Sequence, residues 1–213
     1  MKKSYQLSLA GLLLMVVTAC TSYVDLNNTT FYDPGFKPGG TIYVAAANKK
    51  EDNSLEFAHY KSKIETFLRQ NGYTISENPK VAQSVAVVSY GIDNGRVSSQ
   101  VRPIYGYVGG GYYDLVYPGY AMPSYTVVGV TSVERTTYKR AVALDIVDGK
   151  SLRDGKAKQI YSARAVSSGS CPTINQVMDE LLTGMFSNFP GKSGETKFIQ
   201  VEGKIDCKTG NNS

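Results

Sequence analysis

Apolar residues recur along this chain in three successive patterns, and each predicts a different kind of segment. The first is a short, mostly apolar stretch from Leu7 to Val17, behind Lys2 and Lys3 and ahead of the small residues that precede Cys20. It falls short of the roughly 20 residues that a bilayer-spanning helix needs. A basic start, a brief apolar core and small residues at a cleavage site are features of a secretory leader, so residues 1–19 are expected to be removed. Residues 20–40 follow with no sustained period, rich in Asn, Thr, Pro and Gly, and end in Pro38-Gly39-Gly40. That composition predicts a flexible linker, which at full stretch would reach about 65–70 Å.

From residue 41 onward the periods become those of a folded domain. Thr41 to Ala46 is β-rich, with Ile42, Val44 and Ala46 on one face by the strand period of two. Asn53-Ser54-Leu55-Glu56 then resembles a capping box, and Phe57, Tyr60, Ile64, Phe67 and Leu68 follow at helical spacing up to Gly72, the residue type favoured just past a helix end. Val81 to Ile92 is apolar on both faces, as a central strand covered on two sides would be. A long strand is expected from about Val133 to Val147 and a return strand from Gln159 to Val166. A second helix of roughly 17 residues should begin at the Thr173/Gln176 pair and bury Ile174, Val177, Met178, Leu181, Leu182, Met185 and Phe186 before Pro190-Gly191. Lys197 to Asp206 closes the series with Ile199, Val201 and Ile205 inward. The order β-α-β-β-β-α-β predicts one α+β domain over 41–207, a mixed or antiparallel sheet of about five strands with two helices packed on it, and a disordered tail over 208–213.

Composition changes this picture little. Cleavage before Cys20 would leave 194 of the 213 residues, enough for one domain, and would lower the formal net charge from +5 to +3. The basic residues are dispersed, which excludes the clustered patch that nucleic-acid binding needs. No cofactor motif is present: Gly109-Gly110-Gly111 lacks both the spacing and the following lysine of a phosphate loop. Nor do the cysteines and the single histidine, His59, make a metal set. His59 falls on the polar side of the first helix. Asp145 and Asp148, three apart on a strand, should point to opposite faces and make a poor carboxylate pair. Arg135, Lys139 and Arg140 are expected to form a soluble sheet face.

Three chemical features remain. Val17-Thr18-Ala19-Cys20 resembles a bacterial lipobox, which implies a diacylglycerol on the Cys20 sulfur, cleavage before Cys20 and acylation of the new amino group. The membrane is then the first expected partner, because several hydrocarbon chains on one residue hold far more firmly than one. An exported compartment permits a disulfide. A strand returning antiparallel to the second helix would bring Cys207 to the same end as Cys171. Seven of the sixteen tyrosines fall within 100–130, a Tyr/Gly-rich insertion in which Tyr105, Tyr107, Tyr112, Tyr113, Tyr117 and Tyr120 are the candidate partner-binding residues. Tyrosine offers large contact area at low entropic cost. The competing structural explanation is an elongated hairpin whose alternating tyrosines pack over the sheet edge.

The succession Leu68-Arg69-Gln70-Asn71-Gly72-Tyr73, Val85-Ala86-Val87-Val88-Ser89-Tyr90, Ala143-Leu144-Asp145-Ile146-Val147-Asp148 and Phe189-Pro190 resembles a large family of bacterial outer-membrane lipoproteins with a conserved domain of unknown function. The similarity covers roughly residues 41–190. It departs from the family pattern at Ile160-Tyr161, where a Trp is usual, and in the long Tyr/Gly insertion. The family implies an α+β sandwich in the envelope and supplies no catalytic residue. With Thr21 rather than Asp after Cys20, the lipoprotein resemblance implies the outer membrane, periplasmic side. The expected role is a non-enzymatic binding or assembly module that presents the Tyr-rich loop to an envelope protein or glycan. A glycan hydrolase or transferase, and a subunit or activator of a larger envelope machine, are the alternatives.

Overall fold

The computed structural model describes residues 22–108 and 124–203. It contains β1 (Ser22–Tyr32), β2 (Gly40–Ala46), α1 (Leu55–Gln70), β3 (Tyr73–Ile75), β4 (Ser84–Ile92), β5 (Arg96–Val108), β6 (Ser124–Asp148), α2 (Gly149–Arg153), β7 (Gln159–Gly169), α3 (Met178–Phe186) and β8 (Glu195–Gly203). The strands lie in the order β3-β2-β4-β6-β7-β1-β8, with β5 paired to β6 off that path. Only the β2–β3 and β2–β4 pairs are parallel. The mixed α+β class is as expected, but among the described residues the sheet has eight strands rather than about five, and there are three helices rather than two.

The largest correction concerns the linker. Residues 22–32 are not a tether but β1, held between β7 and β8 by two antiparallel ladders. Val24, Leu26, Asn28 and Thr30 alternate inward, all buried. Two of those four are polar, which masks the strand period in the sequence. Asn28 is accommodated because its side-chain amide donates to the Met185 carbonyl at 3.1 Å, in the last turn of α3, where helix carbonyls lack intrahelical partners.

Helix α1 starts as its sequence dictates. Ser54 occupies the N-cap and its hydroxyl accepts from the Phe57 amide at 3.0 Å. Gly72, with φ of 88°, takes the left-handed conformation that ends the helix. The second main helix is shorter than expected. Thr173 and Gln176 bond to each other at 2.8 Å in the preceding turn, so the cap falls instead on Val177, without a side-chain bond, and α3 runs for nine residues. Its apolar stripe is nonetheless buried from Ile174 to Phe186. Beyond Asp148 the polar loop contains α2, capped by the Asp148 carboxylate accepting from Ser151 at 2.7 Å.

Helices α1 and α3 cover one face of the sheet and bring Phe57, Ile64, Leu68, Leu181 and Met185 onto Leu26, Ile42, Val44, Leu144 and Ile146. Each such side chain contributes about 1.5–3 kcal/mol when fully buried. Phe67 and Phe186 stack at 5.0 Å between the helices. Tyr32, Phe36, Tyr161 and Phe189 extend that aromatic cluster across the base of the sheet. The opposite sheet face is open, with Tyr23, Phe31 and Phe198 all more than half exposed. Central-strand burial on both sides therefore holds only at the start of β4, where Val85 is buried as well as Ala86.

Candidate functional site

The strand expected from Val133 begins far earlier. Strand β6 is 25 residues long, and its first half pairs with β5 in a ribbon that leaves the main sheet. The turn that launches this ribbon is tightly held. After β4 ends at Ile92, the Asp93 carboxylate accepts from the amides of Gly95 at 3.0 Å and Lys139 at 2.9 Å. The Asp93 amide in turn donates to the Lys139 carbonyl at 3.0 Å. These bonds hold the Asp93 carboxyl below its ordinary value of 3.8, the Lys139 amide contributing most. Gly95 has φ of 78°, and a Cβ there would fall 2.7 Å from the Tyr138 ring.

Past this turn β5 follows β6 from Arg96 opposite Thr137 to Val108 opposite Ser124, with a bulge between Ile104 and Tyr105. Strand β7 stops at Gly169, opposite Tyr138. The ribbon therefore has two strands only, among the described residues, and its outer edges carry no further strand. Facing residues of an antiparallel pair share a side. One side carries Val97, Ser99, Val101, Pro103 and Tyr105 with Val127, Val130, Ser132 and Glu134, so that it is apolar from Val101 outward; the other carries Arg96, Ser98, Gln100, Arg102 and Ile104 with Thr131, Val133 and Arg135. Of the fifteen large apolar side chains exposed among the described residues, eight lie on this ribbon, including Val101 and Val130 at 67%. Such a concentration exceeds the single scattered residues of an ordinary surface and makes the ribbon the candidate site.

Of the expected partner-binding tyrosines, Tyr105 and Tyr107 fall on β5, and Tyr105 is exposed rather than packed over the sheet. Tyr112, Tyr113, Tyr117 and Tyr120 lie outside the described residues, as do Cys20 and Cys207. Cys171 is buried between the end of β7 and the turn into α3. The valines on both sides of the tyrosine-rich stretch escaped the sequence reading. Their β-branched enrichment, at Val97, Val101 and Ile104 and again at Val127, Val128, Val130 and Val133, was the available signal.

Elsewhere, the polar groups are tied into structure. Arg164 holds Asp145 through two bonds of 2.6 and 2.9 Å on the open face, while Asp148 caps α2. The two carboxylates thus have separate duties. His59 is exposed on α1, against the edge of Tyr60. The expected basic face at Arg135, Lys139 and Arg140 is corrected: Arg135 belongs to the ribbon, whereas Arg140 turns to the helix side with Val142 and Leu144 and is 3% exposed. Gly169 leaves room for it, since a Cβ there would meet the guanidinium at 2.6 Å. Burial lowers the pKa of Arg140. A cleft of about 320 Å³ lies between α1 and α3, lined by Lys63, Thr66, Phe67, Asp179 and Thr183 and bridged by the Lys63–Asp179 ion pair. Among the described residues there is no group of three or more His, Cys, Asp or Glu placed to hold a metal. No helix there is long and apolar enough to cross a membrane.

Comparison with known proteins gives a consistent but functionally silent picture. No curated protein matches the chain. A PDZ domain protein from Parabacteroides distasonis is similar over 85% of this chain at 13% identity and a TM-score of 0.47; the chain spans 40% of that protein. A DUF4136 family protein from Bacteroides thetaiotaomicron is similar over 79% of this chain and 97% of its own, at 16% identity and a TM-score of 0.43. A PelC dodecamer from Paraburkholderia phytofirmans is similar over 75% of this chain and 96% of its own, at 14% identity and a TM-score of 0.36. The family model for the domain of unknown function DUF4136 matches residues 21–191, from the start of β1 past the end of α3, and the chain belongs to that family.

Proposed function

We propose that this protein is a lipid-anchored, non-enzymatic binding and assembly module of the bacterial cell envelope, with the β5–β6 ribbon as its contact element. The observation that carries the reading is the clustering of exposed apolar side chains on that ribbon. The leader and lipobox-like residues ending at Cys20 support lipid attachment, on the periplasmic side of the outer membrane. With β1 beginning at Ser22, only Thr21 separates the lipidated residue from the folded body. The carboxylates Asp145 and Asp148 have structural partners, which favours a binding role over glycan hydrolysis.

The same reading pairs Cys171 with Cys207. Gly203, where β8 ends, lies against Glu180 in the first turn of α3, and Cys171 stands just before that helix. The four residues from Gly203 to Cys207 span up to about 14 Å, a reach that supports a bridge at this end of the helix.

Intact-mass analysis and photocrosslinking in living cells test the proposal. A diacylated and N-acylated Cys20, with crosslinks from Val101 and Tyr105 but none from Asp25 on the open sheet face, is the expected result. An unmodified terminus, or crosslinks from Asp25 alone, would overturn it.

A further inference from the structure

Strand registers fix the direction in which the ribbon points. Ser167 of β7 stands opposite Leu26 on one side and Arg140 on the other, and β1 and β6 each run antiparallel to β7, so they run parallel to each other. Ser22, four residues before Leu26, is therefore level with Thr136, two strand spacings or about 10 Å away. The start of β1 and the root of the ribbon share one end of the sheet. From Thr136 the pairing continues to Ser124, a further 12 residues or about 40 Å at strand rise. Cys20, two residues before Ser22, can lie at most about 7 Å beyond it. Measured along the strands, the ribbon thus runs some 30 Å further than Cys20 can reach beyond Ser22.

We propose that the partner of the ribbon is the bilayer itself: the outer part of one side, Val101, Pro103 and Tyr105 with Val127 and Val130, lies in the acyl boundary of the membrane that holds Cys20, as a second attachment. This rests on the lipid-anchor reading and names the partner of the contact element. A two-stranded ribbon has two unpaired edges, which hydrocarbon does not tolerate, so it lies along the surface rather than crossing. Residues 96–108 and 124–137 carry three arginines and one glutamate: Arg96, Arg102 and Arg135 share the side turned to the headgroups, where they can meet lipid phosphates, and Glu134 lies on the other side only near the ribbon's root, opposite Ser99.

The chain has no tryptophan, so a single one reports depth without background. Val101→Trp on the apolar side and Arg102→Trp on the polar side are placed in the full processed chain, reconstituted in phosphatidylethanolamine/phosphatidylglycerol vesicles with brominated acyl chains. Val101→Trp should be quenched and blue-shifted, most by bromines near the glycerol end, and Arg102→Trp little. Water-like emission from both, or leakage of trapped dye indicating a crossing structure, would overturn the placement. A second arm uses the full mature sequence with Cys20→Ser, so that no lipid is attached. It should bind the same vesicles, and Val101→Asp with Val130→Asp should weaken that binding about tenfold or more, with the melting temperature unchanged because both sites are exposed. Equal binding of the two forms would overturn the proposal. The two readings fail separately: a lipid-bearing Cys20 with water-like emission from the Val101→Trp form removes only the ribbon's role, whereas an unmodified native Cys20 with ribbon-dependent vesicle binding removes only the anchor.

Discussion

Gly184 of α3 rests directly on Leu26 of β1: a Cβ on that glycine would lie 2.3 Å from a Leu26 methyl carbon. The helix comes this close to the sheet because it lacks a side chain there, and Leu26 is 1% exposed beneath it. Gly184→Ala is expected to destabilise the fold by about 1–3 kcal/mol through overpacking, outweighing the gain of about 1 kcal/mol that alanine normally brings to a helix. Leu26→Ala should cost about 2–5 kcal/mol. The double variant should cost less than the sum, because the new methyl fills part of the space the leucine leaves. Urea unfolding of all four forms measures that coupling, and strict additivity would show that the two residues do not share a packing site.

The Asp145–Arg164 pair makes two good hydrogen bonds, yet its side chains are 27% and 45% exposed. Solvent screening limits such a pair to about 1 kcal/mol or less. Asp145→Asn should therefore lower stability slightly and leave vesicle binding and crosslinking untouched. A loss of any cell-envelope phenotype on this substitution, with the fold intact, would reopen the case for a catalytic carboxylate.

Acid should loosen the ribbon at its root. The Asp93 carboxyl titrates below 3.8 in the folded protein because the Lys139 and Gly95 amides donate to its charged form, with Lys139 and Arg96 nearby. A lowered folded value means that this contribution is fully present above the ordinary carboxylate value and is lost as pH falls through the folded one. Hydrogen exchange of the Lys139 and Gly95 amides should accelerate in that acid range. Asp93→Asn should show the faster exchange at neutral pH, with core amides of β4 and β7 unaffected.

At the alkaline end several phenols act together: burial raises Tyr60, Tyr90 and Tyr161 and pushes Tyr73 up to about 12. Here the folded value is raised, so the contribution is complete below the ordinary value of 10.0 and disappears as pH rises towards 12. Titration by ultraviolet absorbance should show these tyrosines ionising late and together with unfolding, and Tyr73→Phe should retain its structure to higher pH.

Much of the core was legible in the chain because its side chains are apolar at the right period. The stripes Phe57-Tyr60-Ile64-Leu68 and Met178-Leu181-Leu182-Met185 are buried as their spacing requires. Strand β1 was not legible, since Asn28 and Thr30 fill inward positions and the acceptability of Asn28 depends on the end of a helix 157 residues away. Strand β3, three residues long, is too short for any period to show. In the ribbon, tyrosine and glycine drew attention to composition, while the information lay in the alternation of Val97, Val101 and Val130 with arginines and polar residues. Two-sidedness appears only when the register with β6 is known.

The place of β1 in the sheet also governs how the chain matures. Thr29 meets Thr196 across a sequence separation of 167 residues, so β1 cannot be housed until β7 and β8 have followed. Pairings this remote are closed late and slowly. The polypeptide must therefore complete its folding with β1 waiting unpaired, and an exposed strand edge at that stage is open to pairing with another chain.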